Sequence, residues 1–492
     1  MSTTATGAKG LSAAARVRAE VGHPIIDTDG HVLELLPAVF PYLRESLGPV
    51  RFEAYRHQGP IIKRDNPPLG DSAMLASRTP QGAWWGSPNN ARTRATSMLP
   101  GLLYERMDEL GLDFSVFYTT NCLTECAVED DELRRGICRG FNDFYADAFR
   151  PYADRMAAAG IIPMHTPDEA IAEMEHCRAI GLKVVSFPEG VLRPIESPSA
   201  GVPSLWPGQS HWWDTYGLDS ALDYDPVWER ARQLGFAVTF HGALTSRPGV
   251  VSSPTNYVFN HLGWFADLMR PVCKSLMMGG VTRRFPDVAF AFLECGVSWA
   301  HQLLLDIVGH WEKRNVRALA DLDPSRVDFD ALEDLVQRYG GEVFVGRTSE
   351  PERRHAYAHE AIDGGGPDNP DEFARLDVTS VSELVHLFAD SFFFGCEADD
   401  RGVATAFAAT NPRGSRLGAM FSSDIGHWDV HDPAEVVPEC HELLSEGILT
   451  PEQFRSFTFT NAVRLYTRAD PDFFEGTAVA AEARALGDTV AG

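Results

Sequence analysis

Eight short apolar segments alternate with helix-like segments along the 492-residue chain, and this alternation constrains the fold more than any other feature. Strands that alternate with helices form βα units and a parallel sheet. Eight such units predict an α/β fold, a distorted (β/α)8 TIM barrel with long βα-loop insertions. An open doubly wound sheet is the alternative, although the first βα turn lacks the G-x-G-x-x-G fingerprint. The predicted strands are residues 24–32, 114–118, 156–164, 183–187, 236–241, 288–294, 392–395 and 419–424.

The connections between these segments carry the extra length of the chain. Several are rich in Pro, Gly and Ser and are longer than ordinary barrel loops. We therefore expect one barrel, at residues 23–470, between an N-terminal arm and a C-terminal tail. The arm is residues 1–22, the insertions lie at about 51–100, 190–222 and 315–380, and the tail is residues 471–492.

Composition excludes several classes of function. The formal net charge of −26 argues against nucleic-acid binding and against an anionic membrane surface, because both require clustered Lys and Arg. No apolar run reaches the roughly 18 residues of a transmembrane helix. The 8 Cys are scattered, which is typical of reduced thiols, and the N-terminus lacks the apolar core of a signal peptide. These features predict a cytoplasmic protein.

The first predicted strand ends in ionisable residues. Side chains alternate along a strand, so Asp27, Asp29 and His31 are expected on one face. Burying three such groups unpaired is costly, and a divalent cation offsets the cost because carboxylates and imidazoles are ordinary metal ligands. The alternative is a strand end that emerges into solvent. The short Asp-x-His pattern leaves both interpretations open.

Other predicted strands also end in potential ligands. His241, Glu294 and Asp424 end the fifth, sixth and eighth strands. In a barrel the C-terminal strand ends converge on one face, where active sites lie. Asp29, His31, His241 and Asp424 would together supply four ligands to a catalytic metal that keeps an open position.

The order and spacing of these segments resemble a known family. The chain resembles the amidohydrolase-related group of the amidohydrolase superfamily, which includes the aminocarboxymuconate-semialdehyde decarboxylase type. The resemblance implies a distorted (β/α)8 barrel, a centre of one or two divalent ions and a homo-oligomer. It rests on residues 25–34, 181–187, 236–241, 284–299, 422–424 and 461–466.

The resemblance also implies roles for individual residues. Asp29 and His31 match the first-strand ligand pair, His241 matches the fifth-strand ligand, and Asp424 matches the eighth-strand Asp that binds metal or handles the proton of water. The sixth strand departs from the pattern, because Glu294 stands where the decarboxylases place a His in a His-Gly-Gly run. Glu294 is therefore expected to be a carboxylate ligand or a general base.

Further residues are candidates with open alternatives. His261, in an Asn-His pair, replaces the missing sixth-strand His or packs against its helix. His427 follows Asp424 and contacts substrate or caps the turn. Trp85 and Trp213 lie in long loops and would form an apolar lid over substrate, or pack.

Two further expectations concern acidic residues. Asp27 is expected to support a ligand rather than to bind the metal. Glu397, Asp399 and Asp400 follow the seventh strand and are expected to form a solvated acidic loop.

Together these features predict a metal-dependent hydrolase acting on a small-molecule substrate. Water activated by Zn, Fe or Mn would attack an amide, ester or thioester carbonyl. Asp424 or Glu294 would take the proton, and the metal with His241 or His261 would stabilise the oxyanion. The alternatives are non-oxidative decarboxylation of an aromatic or unsaturated acid, and a non-catalytic barrel. Glu294 weighs against decarboxylation, because protonation of carbon suits a His better.

Overall fold

The fold is taken from a computed structural model of the chain. The structure describes residues 10–58, 71–77, 90–195, 211–242, 253–321, 328–346 and 371–490. Trp85, one of the two predicted substrate-contacting tryptophans, lies outside the described residues.

Eight parallel strands form one sheet in the order β1-β2-β3-β4-β7-β8-β9-β10. Helices flank this sheet, and the predicted distorted (β/α)8 barrel is confirmed. The strands β5 and β6 form a separate antiparallel pair within the predicted insertion at 190–222. The ten strands are β1 (Ile26–Val32), β2 (Phe114–Thr119), β3 (Met156–Ile161), β4 (Val184–Pro188), β5 (Val191–Pro194), β6 (His211–Asp214), β7 (Val238–His241), β8 (Phe290–Phe292), β9 (Phe392–Glu397) and β10 (Gly418–Ser422).

The helices of the described residues follow the strands along the chain. The first group is α1 (Ala13–Val21), α2 (Leu36–Gln58), α3 (Asp71–Ser77), α4 (Ala91–Met98), α5 (Pro100–Leu110), α6 (Asp131–Phe149), α7 (Pro167–Ala179) and α8 (Asp225–Leu234). The second group is α9 (Tyr257–His261), α10 (Trp264–Met278), α11 (Val281–Arg284), α12 (Ser298–Arg314), α13 (Phe329–Tyr339) and α14 (Gly341–Phe344). The last group is α15 (Val381–Ser391), α16 (Val436–Ser445), α17 (Pro451–Arg455), α18 (Asn461–Ala469) and α19 (Ala480–Val490).

Local sequence explains where α7 begins. Thr166 caps the helix by accepting a hydrogen bond from the backbone N–H of Glu169, and the Glu169 side chain accepts from the backbone N–H of Thr166. Pro167 occupies the first turn, where its missing N–H costs nothing. This capping box gives α7 a defined start directly after β3.

The barrel closes where β1 meets the end of β10. The backbone N–H of Asp424 donates to the Asp29 carbonyl at 2.9 Å, and the N–H of His31 donates to the Ile425 carbonyl at 2.8 Å. The Thr28 hydroxyl adds a bond to the Phe421 carbonyl at 2.9 Å. These bonds place the first- and eighth-strand candidate residues side by side.

A bulge in β1 changes which way its acidic residues point. Asp27 pairs with Ser115 of β2 and Gly30 pairs with Phe117, so β1 has one more residue than β2 over this stretch. The strict alternation predicted for Asp27, Asp29 and His31 is therefore wrong. A Cβ atom at Gly30 would lie 2.6 Å from Cε1 of Phe117, so this close approach requires glycine.

The barrel interior is apolar at the end opposite to the candidate site. The buried side chains Phe114 and Tyr466 pack against Phe473 and Phe474, in the region predicted as a tail. The described helices include none long and apolar enough to cross a membrane.

The bulge glycine gives a test of the fold. Gly30→Ala is expected to lower the free energy of unfolding by about 1–3 kcal/mol, because the added methyl group overlaps the Phe117 ring. Urea unfolding measures this change. Gly309→Ala is the matched control, since its Cβ in α12 meets open space and alanine favours a helix by about 1 kcal/mol. Equal effects of the two substitutions would contradict the role of the bulge.

Candidate metal centre

Six buried side chains with metal-ligand chemistry meet at the C-terminal ends of the barrel strands. They come from β1, from β7, and from the turns that follow β8 and β10. The six are Asp29, His31, His241, Glu294, Asp424 and His427.

The first group of three is compact. The Nε2 atom of His31 lies 3.1 Å from the Nε2 of His241. The Oδ1 atom of Asp29 lies 3.6 Å from His31 Nε2 and 3.7 Å from His241 Nε2. Asp29, His31 and His241 therefore aim one nitrogen or oxygen each at a common point.

The second group surrounds the same point from the β8 and β10 ends. Asp424 Oδ1 lies 3.5 Å from His31 Nε2, and Glu294 Oε2 lies 3.3 Å from His241 Nε2. His427 Nδ1 lies 2.6 Å from Asp424 Oδ1 and 3.6 Å from Glu294 Oε1. The His427 ring stacks on His31 with centroids 3.6 Å apart.

These side chains fit a divalent cation on two counts. Both oxygens of Asp29 and Asp424 and Oε2 of Glu294 are buried and make no regular hydrogen bond within the described part of the chain. Metal bonds of about 2.1 Å in a tetrahedron place ligand atoms about 3.4 Å apart. The nitrogen–oxygen distances of 3.3–3.7 Å and the nitrogen–nitrogen distance of 3.1 Å match that spacing.

Burial dominates the electrostatics of the group. Burial raises the pKa of Asp29 well above its usual value, and the Asp27 carboxylate raises it further. Burial likewise raises the pKa of Glu294 and Asp424. Burial lowers the pKa of His241 to about 4, so its imidazole is neutral and its lone pair is available.

Two of these residues hold an uncommon backbone conformation. Glu294 has φ 53° and Asp424 has φ 50°, both in the left-handed region that side chains other than glycine seldom adopt. Such strain persists where surrounding structure enforces it, and it clusters at functional sites. Here it turns both carboxylates inward directly after their strands.

Backbone carbonyls orient the two imidazoles. His31 Nδ1 lies 3.3 Å from the Thr119 carbonyl, and His241 Nδ1 lies 3.1 Å from the Gly242 carbonyl. With Nδ1 as the donor in each ring, both Nε2 atoms are acceptors that face the common point.

Asp27 supports the closure beside Asp424. It accepts hydrogen bonds from the Ser423 backbone N–H at 2.9 Å and from the Ser423 hydroxyl at 2.7 Å. Burial raises the pKa of Asp27 to about 6. These contacts tie the residue before Asp424 to β1 and leave Asp27 outside both ligand groups.

Several candidate residues lie away from the six. His261 stacks on Tyr257 at 5.4 Å and meets the edge of Trp428 at 5.7 Å, and it belongs to neither ligand group. The Trp213 indole donates to the Glu189 carbonyl at 3.2 Å, so the structure gives it a packing contact. A substrate role for His261 or Trp213 stays a prediction.

The sequence gave too little weight to two residues. His427 is among the ligand-type side chains, and the Asp424-x-x-His427 spacing on the turn after β10 was the available signal. Glu397 was predicted to be solvated, which is wrong: burial raises its pKa to about 7, and its charge raises the pKa of Asp29 and Glu294. Asp399, by contrast, is exposed.

A family model described as Amidohydrolase matches residues 26–468. The chain belongs to the amidohydrolase family. None of the curated proteins matches the chain.

Solved structures similar to this amidohydrolase cover most of its length at low identity. An amidohydrolase from Mycobacterium avium subsp. paratuberculosis K-10 is 16% identical, covers 90% of this chain and 99% of its own, and has a TM-score of 0.46. IDCase from Metarhizium anisopliae is 13% identical over 92% and 98%, with a TM-score of 0.47. A 2,6-dihydroxybenzoate decarboxylase from Rhizobium is 14% identical over 90% and 99%, with a TM-score of 0.43.

Metal analysis tests the ligand assignment. Wild-type protein reconstituted with Zn²⁺ is expected to hold about one equivalent, and Asp29→Ala, His241→Ala and Asp424→Ala are each expected to weaken binding at least about tenfold. Removing the metal should lower the melting temperature of the wild type only. His176→Ala is the control, because His176 pairs with Asp143 on the helical layer. Full metal content in all three variants would contradict the assignment.

Proposed function

We propose that this amidohydrolase is a metal-dependent hydrolase of a small organic substrate. The observation that carries the proposal is the meeting of buried, unsatisfied carboxylate oxygens with imidazoles that burial keeps neutral. A cation is the group that such a set lacks. The family membership supports an enzyme at this face of the barrel.

Asp29, His31, His241 and Asp424 would hold the cation, which is zinc, iron or manganese. His31 is common to both ligand groups, and one Nε2 atom binds one ion, which favours a single cation. When bound, the cation supplies Lewis acidity and lowers the pKa of water toward about 7.

Glu294 is the proposed general base. Its Oε2 atom is buried without a regular hydrogen bond to any described residue, and burial raises its pKa toward the range in which a carboxyl accepts and returns a proton. His427 lies within 3.6 Å of Glu294 and 2.6 Å of Asp424, so it can carry a proton from either carboxyl toward a leaving group. The attacked bond would be an amide, ester or thioester.

One observation favours non-oxidative decarboxylation as the second candidate. The sixth strand offers Glu294 where that chemistry uses a His, and the structure brings His427 beside Glu294. An imidazole there is placed to donate a proton to carbon. The substrate of this alternative would be an aromatic or unsaturated carboxylic acid.

Substrate assays with Zn²⁺-reconstituted enzyme separate the two reactions. We expect hydrolysis within a panel of amides, esters and thioesters, and at least about a hundredfold lower kcat in Glu294→Gln, whose amide cannot accept the proton. Glu452→Gln, on the exposed surface, is the matched control and should leave kcat unchanged. CO2 release from aromatic acids, without hydrolysis of any panel member, would contradict the proposal and establish the second candidate.

A further inference from the structure

The orientation of His31 depends on a single backbone carbonyl. Its Nε2 atom faces Asp29 and His241 at 3.6 and 3.1 Å, so binding a cation there requires the proton to sit on Nδ1. The acceptor for that proton is the Thr119 carbonyl at 3.3 Å. Whatever fixes this carbonyl fixes the ligand nitrogen.

The peptide group that contains this carbonyl is held by a carboxylate. The N–H of the same peptide, on Thr120, donates to Glu34 Oε1 at 3.1 Å. The Thr119 hydroxyl donates to the same oxygen at 2.6 Å. Hydrogen bonds in a chain polarise one another, so a negative charge on the N–H side makes the Thr119 oxygen a stronger acceptor.

Glu34 is built into the barrel rather than exposed. It is 4% exposed, and its other oxygen accepts from the Asn121 backbone N–H at 3.0 Å and from the Asn121 side-chain amide at 2.6 Å. The Tyr145 hydroxyl also donates to Oε1. All five donors are neutral, so a full negative charge is buried without an Arg or Lys partner in the described chain.

A purely structural anchor for the loop after β2 does not require this charge. Neutral acceptors would satisfy the same N–H and hydroxyl donors at lower desolvation cost. The charge does have a use at Thr119, because metal-binding imidazoles are commonly oriented and made more basic by a carboxylate on their other nitrogen. Here one peptide group stands between the carboxylate and the imidazole.

We propose that Glu34 is a positioning residue for the metal centre. Through the peptide group that joins Thr119 and Thr120, it holds His31 with the proton on Nδ1 and with Nε2 turned to the cation. This proposal rests on the metal centre of the proposed function, but not on the reaction catalysed there.

Two measurements test the role of Glu34, and neither uses activity. The first is ¹⁵N NMR of the histidine rings in metal-free protein, with the His31 signals assigned by their loss in His31→Gln. The wild type should show His31 protonated on Nδ1. A His31 ring protonated on Nε2 in the wild type would overturn the proposal, whether or not any variant folds.

The second measurement is the dissociation constant for Zn²⁺ alone, taken by competition with a chelator. Glu34→Gln is expected to weaken Zn²⁺ binding about 10- to 100-fold and to shift the His31 ring toward protonation on Nε2. Tyr145→Phe is the matched control, because it removes one donor to the same carboxylate but leaves the Thr119–Thr120 peptide untouched. Its Zn²⁺ affinity should stay within about threefold of the wild type.

The outcomes separate this proposal from the proposed function. If Glu34→Gln keeps wild-type Zn²⁺ affinity and a His31 ring protonated on Nδ1, Glu34 is only a structural anchor. An equal loss of affinity in Tyr145→Phe would also overturn the role assigned to the peptide group. Failure of the wild type to bind Zn²⁺ would overturn the metal centre, while the NMR measurement would still decide the link from Glu34 to His31.

Discussion

Asp29, Glu294 and Asp424 are carboxylates buried around two neutral imidazoles, and within the described residues none of the three has a Lys or Arg partner. Uncompensated charge in a low-dielectric interior is expensive, and here burial drives every pKa in the direction that opposes charge. The cost is removed if a cation shares the space. The rest of the barrel mouth can be understood as the means of keeping these groups together.

Three features of the backbone deliver the side chains. The β1–β10 hydrogen bonds close the barrel and set Asp29 beside Asp424. The glycine bulge at Gly30 lets β1 pass the Phe117 ring while Asp29 and His31 still point inward. The left-handed conformations at Glu294 and Asp424 turn their side chains into the mouth. Each feature costs conformational freedom or strain, and each lies at a strand end that carries a candidate ligand.

The fold could be predicted from the sequence, since strand and helix patterns alternate and cues such as the Thr166–Glu169 capping box are local. The meeting of His241 with Asp29 followed from barrel geometry alone. Strict alternation failed at Asp27, because a bulge is decided by the neighbouring strand and not by the strand itself.

The burial of Glu397 and the inward turn of His427 were missed for a related reason. Both depend on how loops from different strands pack, and single-sequence patterns carry little of that information. The role of Glu34 was equally hidden, since its five donors come from segments far along the chain.

The position of the ion tests the account most directly. Crystals grown with Zn²⁺ and measured at the zinc absorption edge would locate it by anomalous scattering. We predict one peak within about 2.3 Å of His31 Nε2, His241 Nε2 and a carboxylate oxygen each of Asp29 and Asp424. A zinc peak elsewhere on the protein, with these four side chains bound to no ion, would contradict it.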